Sequence, residues 1–229
     1  MDYVYICRKG ENEELRYSIR SVVKNFPEGN IWVVGNKPNW YKGNFIPVDD
    51  IGGKFTNITN ATKAIANSPD ISEDFVLMND DFFVIKPVSN IPILYSGTLS
   101  DKIKAYGELD PGSRYLDILI KTYKYLRRKG IREPMDYDIH VPMIMNKNKL
   151  KTIVSKTDAP RSVYGNLFGI GGEKSTDVKV YTKFNRLYDR SYDMSEIESP
   201  FISCEDKSFP MVYRKILIWQ FSDKTVYEI

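Results

Sequence analysis

Two adjacent carboxylates, Asp80 and Asp81, lie in the run Phe75-Val76-Leu77-Met78-Asn79-Asp80-Asp81-Phe82-Phe83. Apolar residues lead up to the pair and aromatics follow it, so it is expected at the end of a buried strand. Like charges in such a place repel, and burying each ion is costly. A divalent cation relieves both problems, and oxygen-only ligands suit Mg, Mn or Ca. The same polar residues also read as a strand end that turns the chain. His140, the only histidine, stands in Asp136-Tyr137-Asp138-Ile139-His140-Val141-Pro142. It is a candidate general base that acidic neighbours would keep protonated or orient, or a structural histidine at a helix start. Arginine forks match phosphate oxygens. Arg8 follows the first strand, Arg16 and Arg20 share a helix face, and Arg161 lies in Asp158-Ala159-Pro160-Arg161-Ser162. Arg16 and Arg20 also read as surface partners of Glu13 or Glu28.

The elements that would position these groups alternate. Tyr3–Cys7 reads as a strand, and Glu13–Asn25 as a helix with Leu15, Ile19, Val22 and Val23 on one face. Asn12 is its expected N-cap, with Glu13 and Glu14 in the first turn. Ile31–Val34 is a second strand, Phe45–Val48 a third, Thr56–Asn67 a helix, and the Asp80–Asp81 strand follows. Alternation of this kind argues a mostly parallel sheet flanked by helices. Ligands then sit at the carboxyl ends of the strands. The loop after Cys7, the loop after Val34 and Asn79-Asp80-Asp81 are expected on that one rim.

Residues 88–112 read as irregular, and Ser113–Lys129 as a helix closed by Arg127-Arg128-Lys129. That basic cluster is a solvated helix end offsetting the dipole, or a phosphate or nucleic-acid patch. Pro142–Val154 reads as a helix, Val178–Thr182 as a strand, 165–172 as a glycine-rich loop, and Lys215–Trp219 as a strand. Gly169-Ile170-Gly171-Gly172 lacks the frame and lysine of a phosphate loop.

Composition narrows the class. With 229 residues, 42% of them hydrophobic and 28% charged, the chain reads as a single soluble domain. No apolar run approaches a membrane span, and no secretory signal opens the chain, so a cytoplasmic protein is expected. Cys7 and Cys204 fit a reducing compartment, with one disulfide still open to them. A net charge of +3 neither demands a nucleic-acid partner nor forbids one. The 16 tyrosines suit stacking on sugars or bases.

Several blocks occur in the order found in one family. Glu14-Leu15-Arg16-Tyr17-Ser18-Ile19-Arg20-Ser21 resembles the "ELRYSLRS" signature of the Stealth-type sugar-1-phosphate transferases. Phe55-Thr56-Asn57-Ile58-Thr59-Asn60 is similar to the family's "PTFNS" block, and Ile71 through Phe83 to "LSE-F-NDD-F". His140-Val141-Pro142 resembles "H-x-P", with Arg161 for a downstream arginine. Phe201–Asp206 resembles "F-x-x-x-ND", with Glu205 where Asn is usual, and Phe221–Glu228 the closing "FPExSxFE". The family's opening "YTWVDG" is matched only by Tyr5-Ile6-Cys7-Arg8-Lys9-Gly10, without its aspartate and tryptophan.

The resemblance implies a GT-A-like fold and metal-dependent transfer of a sugar-1-phosphate from a UDP-sugar to a glycan hydroxyl. It implies a nucleotide-sugar and metal half over residues 1–90 and an acceptor and catalytic half over 91–229. Asp80 and Asp81 would hold the metal. Arg8, Arg16, Arg20, Asn60 and Asn79 would contact the donor. Arg161, His140 and Asp206 would act on the reacting groups. A GT-A glycosyltransferase that moves the sugar alone, with UDP leaving, uses the same residue types. A non-catalytic sugar- or nucleic-acid-binding module is the third reading.

Overall fold

The computed structural model describes residues 1–155, 157–181 and 197–229. Its central sheet holds β1 (Asp2–Cys7), β2 (Ile31–Gly35), β3 (Asn44–Pro47), β4 (Asp74–Asn79) and β7 (Met143–Asn146), in the order β3-β2-β1-β4-β7. The first four run parallel, and β7 pairs antiparallel with β4. The chain is thus the expected mixed α/β protein, with a mostly parallel sheet flanked by helices.

Alternation along the strands decides what each face carries. Tyr3, Tyr5, Val76 and Met78 pack with Leu15, Ile19 and Val22 of α1 (Glu13–Asn25) on one face. Val4, Phe75 and Leu77 pack with Ala61 and Ile65 of α2 (Lys54–Asn67) on the other. That second face is also covered by Leu150 and Ile153, and by Val163 and Tyr164. Full burial of one such side chain stabilises by about 1.5–3 kcal/mol, so both faces are anchored. α1 follows β1 and α2 precedes β4, so the crossovers change face between these neighbours. The β1/β4 junction is therefore the topological switch point, where α/β sheets open a crevice. Cys7 pairs with Gly35, and Ile6 with Asn79, so the carboxyl ends finish level. Gly35 has φ +120°, and a Cβ there would collide with the Cys7 carbonyl.

The second half of the chain is interleaved with the first. β5 (Phe82–Val84) pairs antiparallel with β10 (Phe201–Cys204), which pairs parallel with β9 (Lys179–Val180). β6 (Leu94–Tyr95) pairs with β8 (Glu173–Lys174). The helices of this half include α3 (Leu99–Leu109), α4 (Arg114–Arg128), α5 (Lys147–Ile153), α6 (Pro160–Leu167) and α7 (Phe209–Val212).

Three expectations need correction. Residues 88–112 are not irregular: Thr98 caps α3, which buries Leu99 alone and so leaves almost no apolar stripe to read. Pro142–Val154 is not one helix: Met143 and Met145 alternate inward as β7, and Asn146 then caps α5. Lys215–Trp219 is helical, split between a π-helical turn (Tyr213–Leu217) and α8 (Ile218–Gln220). Val212 and Ile216, one helical turn apart, are buried there while Trp219 is exposed. Val180 ends β9 two residues earlier than expected, and Thr182 lies outside the described residues. Cys7 and Cys204 are buried and unpaired. No described helix is long and apolar enough to cross a membrane.

Candidate functional site

The site is built where β1 and β4 end. Asn12 caps α1, its Oδ1 accepting from the Leu15 N–H at 3.0 Å. It does so at φ 48°, the only positive φ of a non-glycine residue among those described. Asparagine tolerates this left-handed conformation better than most residues. The conformation turns its amide so that Nδ2 donates to Asp80 Oδ2 at 2.6 Å. One group therefore satisfies a helix terminus and anchors a carboxylate of the pair.

Arg8 lies among three carboxylates. Its Nη2 is 2.7 Å from Glu14 Oε2, its Nη1 2.9 Å from Asp206 Oδ2, and its Nε 3.6 Å from Asp80 Oδ2. Asp81 faces the other way: Lys179 Nζ and the Ser203 hydroxyl donate to its Oδ2 at 3.0 and 3.1 Å. Among the described residues, Glu14, Asp80, Asp81 and Asp206 thus face only Arg8 and Lys179, leaving two formal negative charges in excess. Burial, and then the charge of Asp81, push Asp80 up to about 7, against the opposing pull of Asn12 and Arg8. Burial likewise raises Glu14. The hydrogen bond from Arg8 holds Asp206 below the usual carboxylate range.

These residues fit a hard divalent cation. Among the described residues, Oδ1 of Asp80 and of Asp81 makes no hydrogen bond, and the excess charge is two. No three His, Cys, Asp or Glu side chains form a ready cage among the described residues. A cation here would need oxygens from a ligand as well, as Mg does when it binds phosphates through one or two carboxylates.

His140 is held beside this cluster. Its Nδ1 lies 2.9 Å from both carboxylate oxygens of Asp177, and its ring meets Phe82 edge-on at 6.2 Å. Burial raises Asp177, but the hydrogen bonds and charge of His140 outweigh that and leave it lowered. Asp136 and Asp138, its neighbours in sequence, are not its ring partners. Asp136 instead accepts from Ser96 and pairs with Lys102. Arg161 braces the His140 loop from beneath, donating to the carbonyls of Tyr137 (3.2 Å) and Val141. Gly165 permits this approach of α6, since a Cβ there would strike the Tyr137 ring. The Arg161 guanidinium stacks over Phe82 at 5.7 Å, and its buried Nη1 has no hydrogen-bond partner.

Arg8, Asp80, Asp81, Asp206, His140 and Arg161 are thus joined through direct contacts or a shared neighbour. Asn79 ends β4 on the same rim, partly buried. Arg16 and Arg20 are not joined to them. Arg20 is buried and grips Glu228 with two hydrogen bonds of 2.8 and 2.6 Å. Its Nη1 also donates to the carbonyls of Phe221 and Ser222. Arg16 lies 3.2 Å from Glu13, stacks over Trp40 at 4.9 Å, and faces Glu228 Oε2 with its buried Nε at 3.9 Å. Asn60 sits within α2, partly buried. Asn12, Asp177, Lys179 and Ser203 were not singled out as site residues from the sequence. The one readable signal was Asn12 as a helix cap.

Neither a protein-family profile nor the sequence of a curated protein matches the chain. Among solved structures it is similar to the apo form of the glycosyltransferase GlyE of Streptococcus pneumoniae TIGR4. Identity is 11% over 77% of this chain, with a TM-score of 0.39, and the chain spans 45% of that structure's length. It is also similar to mouse xyloside xylosyltransferase 1 in its apo form, at 10% identity over 90% of this chain and 95% of that one, with a TM-score of 0.39. Likeness at this level assigns no activity to the chain.

Proposed function

We propose that the chain is a nucleotide-sugar-dependent transferase that moves a sugar-1-phosphate from a UDP-sugar to a glycan hydroxyl. One observation carries this reading: an under-neutralised carboxylate pair at the switch point of a parallel sheet, with a carboxylate-backed histidine beside it. The ordered sequence blocks that resemble the Stealth-type family supply the reaction class. A divalent cation held by Asp80 and Asp81, Mg or Mn by its oxygen ligands, would neutralise the diphosphate. Arg8 can redirect part of its fork to phosphate oxygens, since it already faces the rim. His140 Nε2 accepts the proton of the acceptor hydroxyl. The acceptor oxygen bonds to the β-phosphorus, the bond from that phosphorus to the bridging oxygen breaks, and UMP leaves.

Transfer of the sugar alone, with UDP leaving, is the second reading. It is favoured by the full engagement of Arg20 with Glu228 and two carbonyls, which removes one expected phosphate clamp. Incubation with UDP-N-acetylglucosamine, Mg or Mn and a panel of glycan acceptors separates the two. Acceptor-dependent UMP is the outcome expected, whereas acceptor-dependent UDP would establish sugar transfer.

A further inference from the structure

We propose that Asp177 is a positioning residue that fixes His140 with its proton on Nδ1, leaving the Nε2 lone pair to take a substrate proton. The proton's destination rests on the transferase reading, but the tautomer does not, and it serves phosphosugar and sugar transfer alike.

The carboxylate is itself held by the backbone. Asp177 Oδ1 accepts from the N–H of His140 at 3.3 Å and from the N–H of Lys179 at 3.2 Å. Two backbone donors therefore hold Oδ1 in place, and the ring Nδ1 lies 2.9 Å from both oxygens. A carboxylate is an acceptor only, so Nδ1 must carry the hydrogen. The edge-on Phe82 ring and the Arg161 brace keep the imidazole from turning. Lys179 follows in the same short stretch and donates to Asp81. Residues 177–179 thus tie the base and the carboxylate pair to one backbone segment. In the step, the hydroxyl proton passes to Nε2 and the resulting imidazolium faces the Asp177 charge, while the oxygen's electron pair forms the new bond.

The backbone donors also specify what an amide would do. In Asp177→Asn the two N–H groups retain the amide oxygen at the Oδ1 position. The amide oxygen stays 2.9 Å from Nδ1, but the NH2 that replaces Oδ2 at the same distance sets a donor against the Nδ1 hydrogen, so the Nδ1–H preference weakens and the Nε2–H tautomer, which blocks the base, gains population. The shape is unchanged while half of the acceptor becomes a donor.

The single histidine makes this directly readable. In protein labelled with 15N-histidine, at alkaline pH, the native spectrum is expected to show Nδ1–H, and Asp177→Asn to show Nε2–H gained at its expense. Lys179→Met leaves both backbone donors to Asp177 in place and is expected to keep the native tautomer. Turnover of Asp177→Asn is expected to fall about 10²–10⁴-fold, the usual contribution of a general base. Native protein with its proton on Nε2, or an Asp177→Asn variant with the native tautomer, overturns the proposal. If the tautomer shifts as stated but native protein turns over no nucleotide-sugar, the positioning role stands and the transferase reading falls.

Discussion

Two arginine–carboxylate clusters flank helix α1, and they are built to opposite ends. At its N-terminus, half-exposed Arg8 is shared by Glu14, Asp80 and Asp206, and Asp80 is left raised to about 7. Further along the helix, buried Arg20 turns Nε and Nη2 on the one carboxylate of Glu228, gives Nη1 to two carbonyls, and leaves Glu228, which Arg16 also faces at 3.9 Å, below its ordinary value. The residue types are the same; the ratio of cations to carboxylates and the burial differ. A fully matched buried pair locks the C-terminal segment to α1. A cluster short of positive charge stores an unmet demand that a cationic ligand can fill. Fold and function are separated by electrostatic balance rather than by residue type.

The first way to break this contrast is at its charged centre. Asp81→Asn is expected to lower turnover about 10³-fold, comparable to losing a principal electrostatic group in an active site. Removing that repulsion should leave thermal stability equal or higher. Assay and melting curves on one preparation check this, and a large loss of stability with normal turnover would turn the contrast around.

Arg20→Met should do the reverse. It takes the two-pronged partner from the buried Glu228 carboxylate, leaving it Arg16 at 3.9 Å and the Thr225 donors, which costs about 3 kcal/mol of unfolding free energy, measurable by urea denaturation. The rate per folded molecule should change little; a catalytic loss at normal stability would make Arg20 a substrate clamp after all. The pH dependence has a defined sign. Because Glu228 is lowered, its stabilisation is present above the ordinary glutamate pKa of about 4.3 and is lost as pH falls through the lower folded value. Acid destabilisation in that window should be weaker in Arg20→Met, since Thr225 and Arg16 also lower Glu228.

A smaller effect sharpens the other cluster. Asp80 is raised from 3.8 to about 7, so the fold favours its protonated form and its contribution to stability declines as pH rises across that interval. Cation binding that needs the carboxylate should strengthen through about pH 7. Arg8 opposes the shift, so Arg8→Met is expected to move the midpoint of Mn binding to higher pH. Unchanged pH dependence would mean that Arg8 exerts no control over Asp80.

The contrast also marks what was readable in the sequence. The rim was legible because α1, α2 and the strands carry strong periodicity, and level strand ends put Cys7 and Asp80 side by side. Asn12 was legible as a cap but not as the donor to Asp80, because its left-handed turn has no local signature. Asp177, Lys179 and Ser203 reach the site through β9 and β10, about 100 residues from Asp81, with no spacing rule to bring them there. Arg20 and Arg8 look alike as letters, and only burial separates them. The histidine's partner comes from the loop before β9 and not from the adjacent aspartates, because Asp136 is committed to Ser96 and Lys102.

The central claim is that Asp80 and Asp81 anchor a cation-bound diphosphate, and calorimetric titration of UDP into native protein and Asp81→Asn, each with and without Mn, tests it most directly. The account predicts UDP binding that requires Mn in the native protein and is lost in the variant. UDP binding that is independent of Mn, or equal in both proteins, would contradict it.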